Sequence, residues 1–70
     1  MTFTIEERSL IILYYSDSRE ETVSALWEAL PDIDDSVTLI SAWNAIGKLG
    51  AISDAEFTSV FGQEVLENAG

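Results

Sequence analysis

The chain has no cysteine and no histidine, a single proline, four glycines, and three basic side chains against thirteen acidic ones. Each shortage excludes a class of function. Without cysteine there is neither a disulfide framework nor thiolate chemistry, and without histidine the usual zinc sites and imidazole acid–base catalysis fall away. Three scattered cations at a net charge of −10 argue against a surface that tracks phosphates, because such surfaces displace counterions with positive charge. Long apolar runs are lacking too. The longest, residues 10–15, is far below the roughly 18–20 residues that span a bilayer. Glu6, Glu7 and Arg8 stand ahead of it where a signal peptide would carry a basic region. A soluble, cytoplasmic protein is the expectation.

What is present is enough for a core. Of the 70 residues, 47% are apolar, including two Trp, two Tyr and three Phe, whereas charge-driven disorder requires low hydrophobicity. At this length the chain is one domain, and folding hides only about 60% of the surface exposed when unfolded. Residues 1–61 are read as that domain and 62–70 as a frayed or disordered tail.

Three Ser/Thr-x-x-Glu sequences, Thr4 with Glu7, Ser18 with Glu21 and Ser53 with Glu56, read as helix starts. In each, the hydroxyl accepts from an otherwise orphaned amide and the acid suits the positive end of the helix dipole. The first helix is predicted over residues 5–15, its last turns apolar nearly all round and therefore buried. A strand is the competing reading of that run, but no second strand-like segment exists to pair with it. A second helix over 19–30 carries Val23, Leu26, Trp27 and Leu30 in one stripe and ends at Pro31. A third, over 35–49, starts on an Asp cap, has Lys48 in its last turn and stops at Gly50. It has no charge between Ser36 and Gly47, which predicts the central, most enclosed helix. Gly47 within it is expected to mark a close helix contact. The fourth element starts at Ser53, where Asp54, Ala55 and Glu56 lead into Phe57, Val60 and Phe61, and Gly62 interrupts it. The fold class is all-α, a small bundle of three to four short helices.

Carboxylates are the only abundant reactive groups. Asp32, Asp34 and Asp35 alternate as calcium loops do, but Ser36 and Val37 stand where the next ligand and the turn glycine belong. These acids are read as helix caps on a solvated loop. No pair among the thirteen acids is singled out for acid–base work, and Lys48 is read as complementing a helix dipole. Neither catalytic residues nor a metal or other cofactor are expected. Trp27 and Trp43 lie in apolar stripes and are assigned to the core with Tyr14, Phe57 and Phe61; Tyr15 is left open between core and partly exposed.

Charge is uneven along the chain. Residues 17–35 hold seven acids, Asp17, Glu20, Glu21, Glu28, Asp32, Asp34 and Asp35, against Arg19, a net of −6, while 36–50 carries only Lys48. This places a negative face around the second helix, either solubilising or steering a basic partner.

The opening Met1-Thr2-Phe3-Thr4-Ile5-Glu6-Glu7-Arg8, Leu10-Ile11 with Tyr14, Ser18-Arg19, Lys48-Leu49 and Ser53-Asp54-Ala55-Glu56-Phe57 resemble the putative transposon-transfer assisting protein family, small proteins of conjugative transposons in Firmicutes. The similarity covers residues 1–61; the stretch 20–42 matches only in pattern, and the tail from Gly62 lies outside it. The resemblance implies an accessory role in conjugative transfer and brings no assigned catalytic residue to carry over; its matched positions are largely caps and core, so it implies a shared fold more than a shared site.

The expected function is therefore that of a non-catalytic module that binds a basic protein of the transfer machinery. No direct nucleic-acid or membrane contact is expected, and monomer and homodimer both stay open. The alternative is a nucleic-acid mimic whose acids imitate phosphates to inhibit a DNA-binding host defence protein. A small hydrolase lacks a convergent constellation, and a base-reading regulator lacks a basic recognition helix.

Overall fold

A computed structural model describes residues 2–62. Four α-helices follow in order: α1 (Ile5–Leu13), α2 (Arg19–Ala29), α3 (Ser36–Ala51) and α4 (Asp54–Phe57). A 3₁₀ turn, Leu30–Asp32, follows α2, and a π-helical turn, Thr58–Gly62, continues α4. Strands are absent among the described residues, and the all-α reading holds.

The helix starts are where the capping sequences put them. Thr4, Ser18 and Ser53 each accept from the amide three residues on, at 3.1 Å in every case, and Asp35 caps α3 by accepting from the Thr38 amide at 2.8 Å. At α1 the box is reciprocal: Glu7 Oε1 accepts from the Thr4 amide at 2.9 Å.

The stops differ from expectation. Helix α1 ends at Leu13 with Tyr14 as its C-cap, two residues early. Helix α2 gives way at Leu30 to the 3₁₀ turn, with Pro31 in its first positions, where a missing N–H costs nothing. Helix α3 runs through Gly50 to Ala51 and ends on an extended Ile52 at φ −104°, ψ 163°. No described glycine adopts positive φ, so Gly50 does not act as the left-handed stop that a C-terminal glycine usually provides.

The core is one cluster: Ile11 of α1, Leu26 of α2, Ala45, Ile46 and Leu49 of α3, and Phe57 and Phe61 beyond. Aromatic rings knit one end of it. Phe3 meets Phe61 edge-on with centroids 5.0 Å apart, Phe61 lies 5.8 Å from Phe57, and Tyr15 stacks on Phe57 at 5.2 Å. Tyr15 is thus partly buried at the core's edge.

Helices α2 and α3 run antiparallel. Arg19 at the start of α2 donates to the Leu49 carbonyl near the end of α3, while Trp27 late in α2 meets Trp43. The connection from α1 into α2 is stitched by Thr22, fully buried, whose Oγ1 accepts from the Ser16 amide at 3.0 Å and donates to the Ser18 carbonyl at 2.9 Å.

Four expectations about packing are overturned. Helix α3 is not enclosed: Ala42, Ala45, Ile46 and Leu49 form its buried face, while Val37, Ile40 and Trp43 are more than half exposed. Its small alanines let the other helices approach on that one side, and nothing among the described residues covers the other. Trp27 and Trp43 are surface residues, 47% and 56% exposed. Each sits one position past a buried neighbour, Leu26 or Ala42, and so swings about 100° out of the packed stripe. Gly47 marks no close contact, since a Cβ there would meet nothing within 4 Å. The apolar end of α1 is likewise one-sided, with Ile11 buried and Leu13 72% exposed. The expectation of a frayed tail concerns, beyond Gly62, residues outside the described ones.

Candidate functional site

Among the described residues two polar side chains are buried, Thr22 and Glu7. Glu7 has its side chain 4% exposed. Its Oε1 accepts from Lys48 Nζ at 2.6 Å as well as from the Thr4 amide. Lys48 also donates to the Thr2 carbonyl at 2.8 Å and lies 5.7 Å from the centre of the Phe3 ring. Burial pushes the Glu7 carboxyl up, but the Lys48 ammonium and the Thr4 donors together outweigh it and hold the pKa below its ordinary value. This arrangement fastens the N-terminal segment to α3. Lys48 is thus the partner of a buried carboxylate rather than only a complement to the helix dipole.

The seven acids of the predicted face are all exposed, in two groups. Asp17, Glu20 and Glu21 gather at the start of α2. Glu21 Oε2 accepts from Ser16 Oγ at 3.2 Å. Glu28, Asp32, Asp34 and Asp35 gather where α2 passes through the 3₁₀ turn into α3. Along α2 the groups stand roughly 10–12 Å apart, seven to eight residues at 1.5 Å each. Asp35 has a structural duty: the Thr38 amide and hydroxyl, both at 2.8 Å, hold its carboxyl below the usual range. Among the described residues, no three acids come together in a way that could hold a metal ion. Arg19 is engaged by Asp54 at 2.9 Å and Lys48 by Glu7, both acids outside the seven.

Next to the second acidic group in the chain lies a feature that the sequence did not reveal. Leu30 and Pro31 on one side and Leu39, Ile40 and Trp43 on the other line an open groove of about 460 Å³. Trp27 stands beside it, edge-on to Trp43 with centroids 5.0 Å apart and planes at 79°. Ile40 is 61% exposed and Leu39 37%. Monomeric proteins seldom leave so many large apolar side chains together in water unless the patch binds something. Trp is also the residue most often found at the energetic centre of an interface. A smaller groove of about 280 Å³ runs between α1 and α3 past Ile5, Leu10 and Thr38, where Glu6 accepts from Ser41 Oγ at 3.0 Å.

The groove escaped sequence reading because apolar residues cover most of α3, so its periodicity does not say which apolar face is covered. The available signal was the spacing of Ala42 and Ala45 with Ile46 and Leu49, which marks a packing face and leaves Ile40 and Trp43 off it.

No helix among the described residues is long and apolar enough to cross a membrane. No curated protein and no solved structure matches the chain. Residues 3–61, from the first core aromatic to the last, match the family model described as putative transposon-transfer assisting protein. The capped helices, the Glu7–Lys48 lock, the core and the groove all fall within that span, and the chain belongs to this family.

Proposed function

We propose that this protein is a non-catalytic accessory factor of transposon transfer that acts by binding a basic protein of the transfer machinery. The family supplies the process. The observation that carries the mode of action is an open apolar groove lined by Trp43, with Trp27 against that ring, whose wall residues Leu30 and Pro31 lie in the chain between the exposed Glu28 and Asp32, just ahead of Asp34 and Asp35. Apolar area supplies affinity to such a surface, and the acids supply steering and choice of partner. No cation occurs between Glu20 and Gly47, so the negative field there is not answered from within that stretch. Mimicry of a phosphate run calls for acids regularly spaced along one ridge, whereas these gather at the two ends of α2; the placement favours a protein partner.

Affinity capture from donor cells at low and at molar salt tests the reading. The wild-type chain is compared with Glu28→Gln/Asp32→Asn/Asp34→Asn, which spares Asp35 because that residue caps α3. Retention of a basic transfer protein at low salt, its release at high salt and its loss with the triple variant are the expected results. Absence of any salt-dependent partner contradicts the reading.

A further inference from the structure

We propose that the groove receives a short amphipathic helix of the partner, about two turns long, with large apolar side chains on one face and Lys or Arg flanking them. This rests on the reading of a basic protein partner and adds what part of that partner is bound and how. The length follows from α3. Its groove-lining positions run from Leu39 through Ile40 to Trp43, a separation of four residues or roughly 6 Å of helix, which matches a pair of anchors at i and i+3 or i+4 within two turns of a docked helix. Leu30 and Pro31 form the opposite wall, so the guest lies between a helix and a turn. With no strand among the described residues, there is no sheet edge for an extended peptide to join.

Charge selects among occupants. A second copy of this chain would set Glu28, Asp32, Asp34 and Asp35 of one molecule against the same acids of another, with no cation between residues 20 and 47 to answer them. Residues 63–70 of the chain itself carry Glu64 and Glu67 and no cation, and meet the same repulsion. A helix with flanking Lys or Arg is attracted by these exposed acids, which flank the groove's wall residues Leu30 and Pro31 in the chain, while its apolar face displaces water from Trp43 and Ile40.

The chain holds only two tryptophans, both at this site, so its intrinsic fluorescence reports the groove directly. The full chain is titrated with three synthetic peptides. One is a Leu/Lys helix with its leucines on a single face, one has the same composition scrambled so that the leucines share no face, and one is oligolysine. The expected result is a blue shift with the amphipathic peptide and binding at least about tenfold tighter than with either control. Ile40→Gln, at an exposed position that leaves every charge in place, is expected to weaken it about tenfold, with an unchanged circular dichroism spectrum. Equal binding of all three peptides, or indifference to Ile40→Gln, overturns the inference. A concentration-dependent blue shift without peptide also overturns it, in favour of a second copy. The two proposals fail separately. Salt-dependent capture of a basic protein that ignores Ile40→Gln sinks the groove and spares the partner; amphipathic binding with no basic protein captured from cells does the reverse.

Discussion

Replacing Lys48 with Met removes the cation from the Glu7 lock while keeping an unbranched side chain beside Phe3. Glu7 then stays buried with the Thr4 amide as its remaining named donor. A hydrogen bond to a charged group contributes about 1.5–3 kcal/mol, and breaking a fully enclosed ion pair costs about 3–5 kcal/mol. Lys48 is 28% exposed, so water reaches one side of the pair and the lower range applies. A loss of about 2 kcal/mol corresponds to a fall in Tm of roughly 8–16 °C for a domain of this size. The pH dependence gives a second reading of the same pair. Because the folded pKa of Glu7 lies below its ordinary value of 4.5, its stabilisation is complete above that value and is lost as pH falls through the folded pKa. Once Glu7 is protonated, Lys48 has no carboxylate to hold, and the deficit of Lys48→Met relative to wild type shrinks. Urea unfolding followed by circular dichroism at about pH 7 and about pH 3, well to either side of the carboxylate range, measures both effects. A deficit under about 0.5 kcal/mol at neutral pH, the scale of a solvated surface pair, or one equal at both pH values, refutes the reasoning.

Two further substitutions probe the fold. Thr22→Val keeps the shape of a fully buried residue and strips the hydroxyl that accepts from Ser16 and donates to Ser18; it is expected to cost about 1–3 kcal/mol, read as a lower urea midpoint. Gly47→Ala meets nothing within 4 Å in the interior of a helix, so a gain of about 0.5–1 kcal/mol in thermal unfolding is expected, and a loss would reveal a contact that the fold does not have.

Much of the fold is legible in the sequence because helix starts are local. A hydroxyl or carboxylate three residues ahead of an orphan amide needs no tertiary partner, and Thr4, Ser18, Asp35 and Ser53 all cap as their spacing indicates. Stops are less legible: Pro31 fits the opening of a 3₁₀ turn as readily as it breaks a helix, and Gly50 continues α3 with ordinary helical geometry. Exposure of the seven acids followed from the cost of burying charge. The same rule hid Glu7, whose burial depends on Lys48, 41 positions away. The exposure of Trp27 and Trp43 is not legible in the sequence, because an apolar residue beside a stripe looks like part of it. Only the packing of α1, α2 and the C-terminal turns against the Ala42–Ala45–Leu49 side decides which aromatic rings stay outside.

The measurement that bears most directly on the central claim, that the apolar groove carries the function, is the transfer frequency of a transposon encoding this chain with Ile40→Gln and Trp43→Gln together. Both side chains are more than half exposed, so the variant is expected to keep its helical circular dichroism spectrum and its cellular level. Transfer is expected to fall by about tenfold or more, as the loss of an interface hot spot entails. Unchanged transfer with the folded double variant contradicts the account.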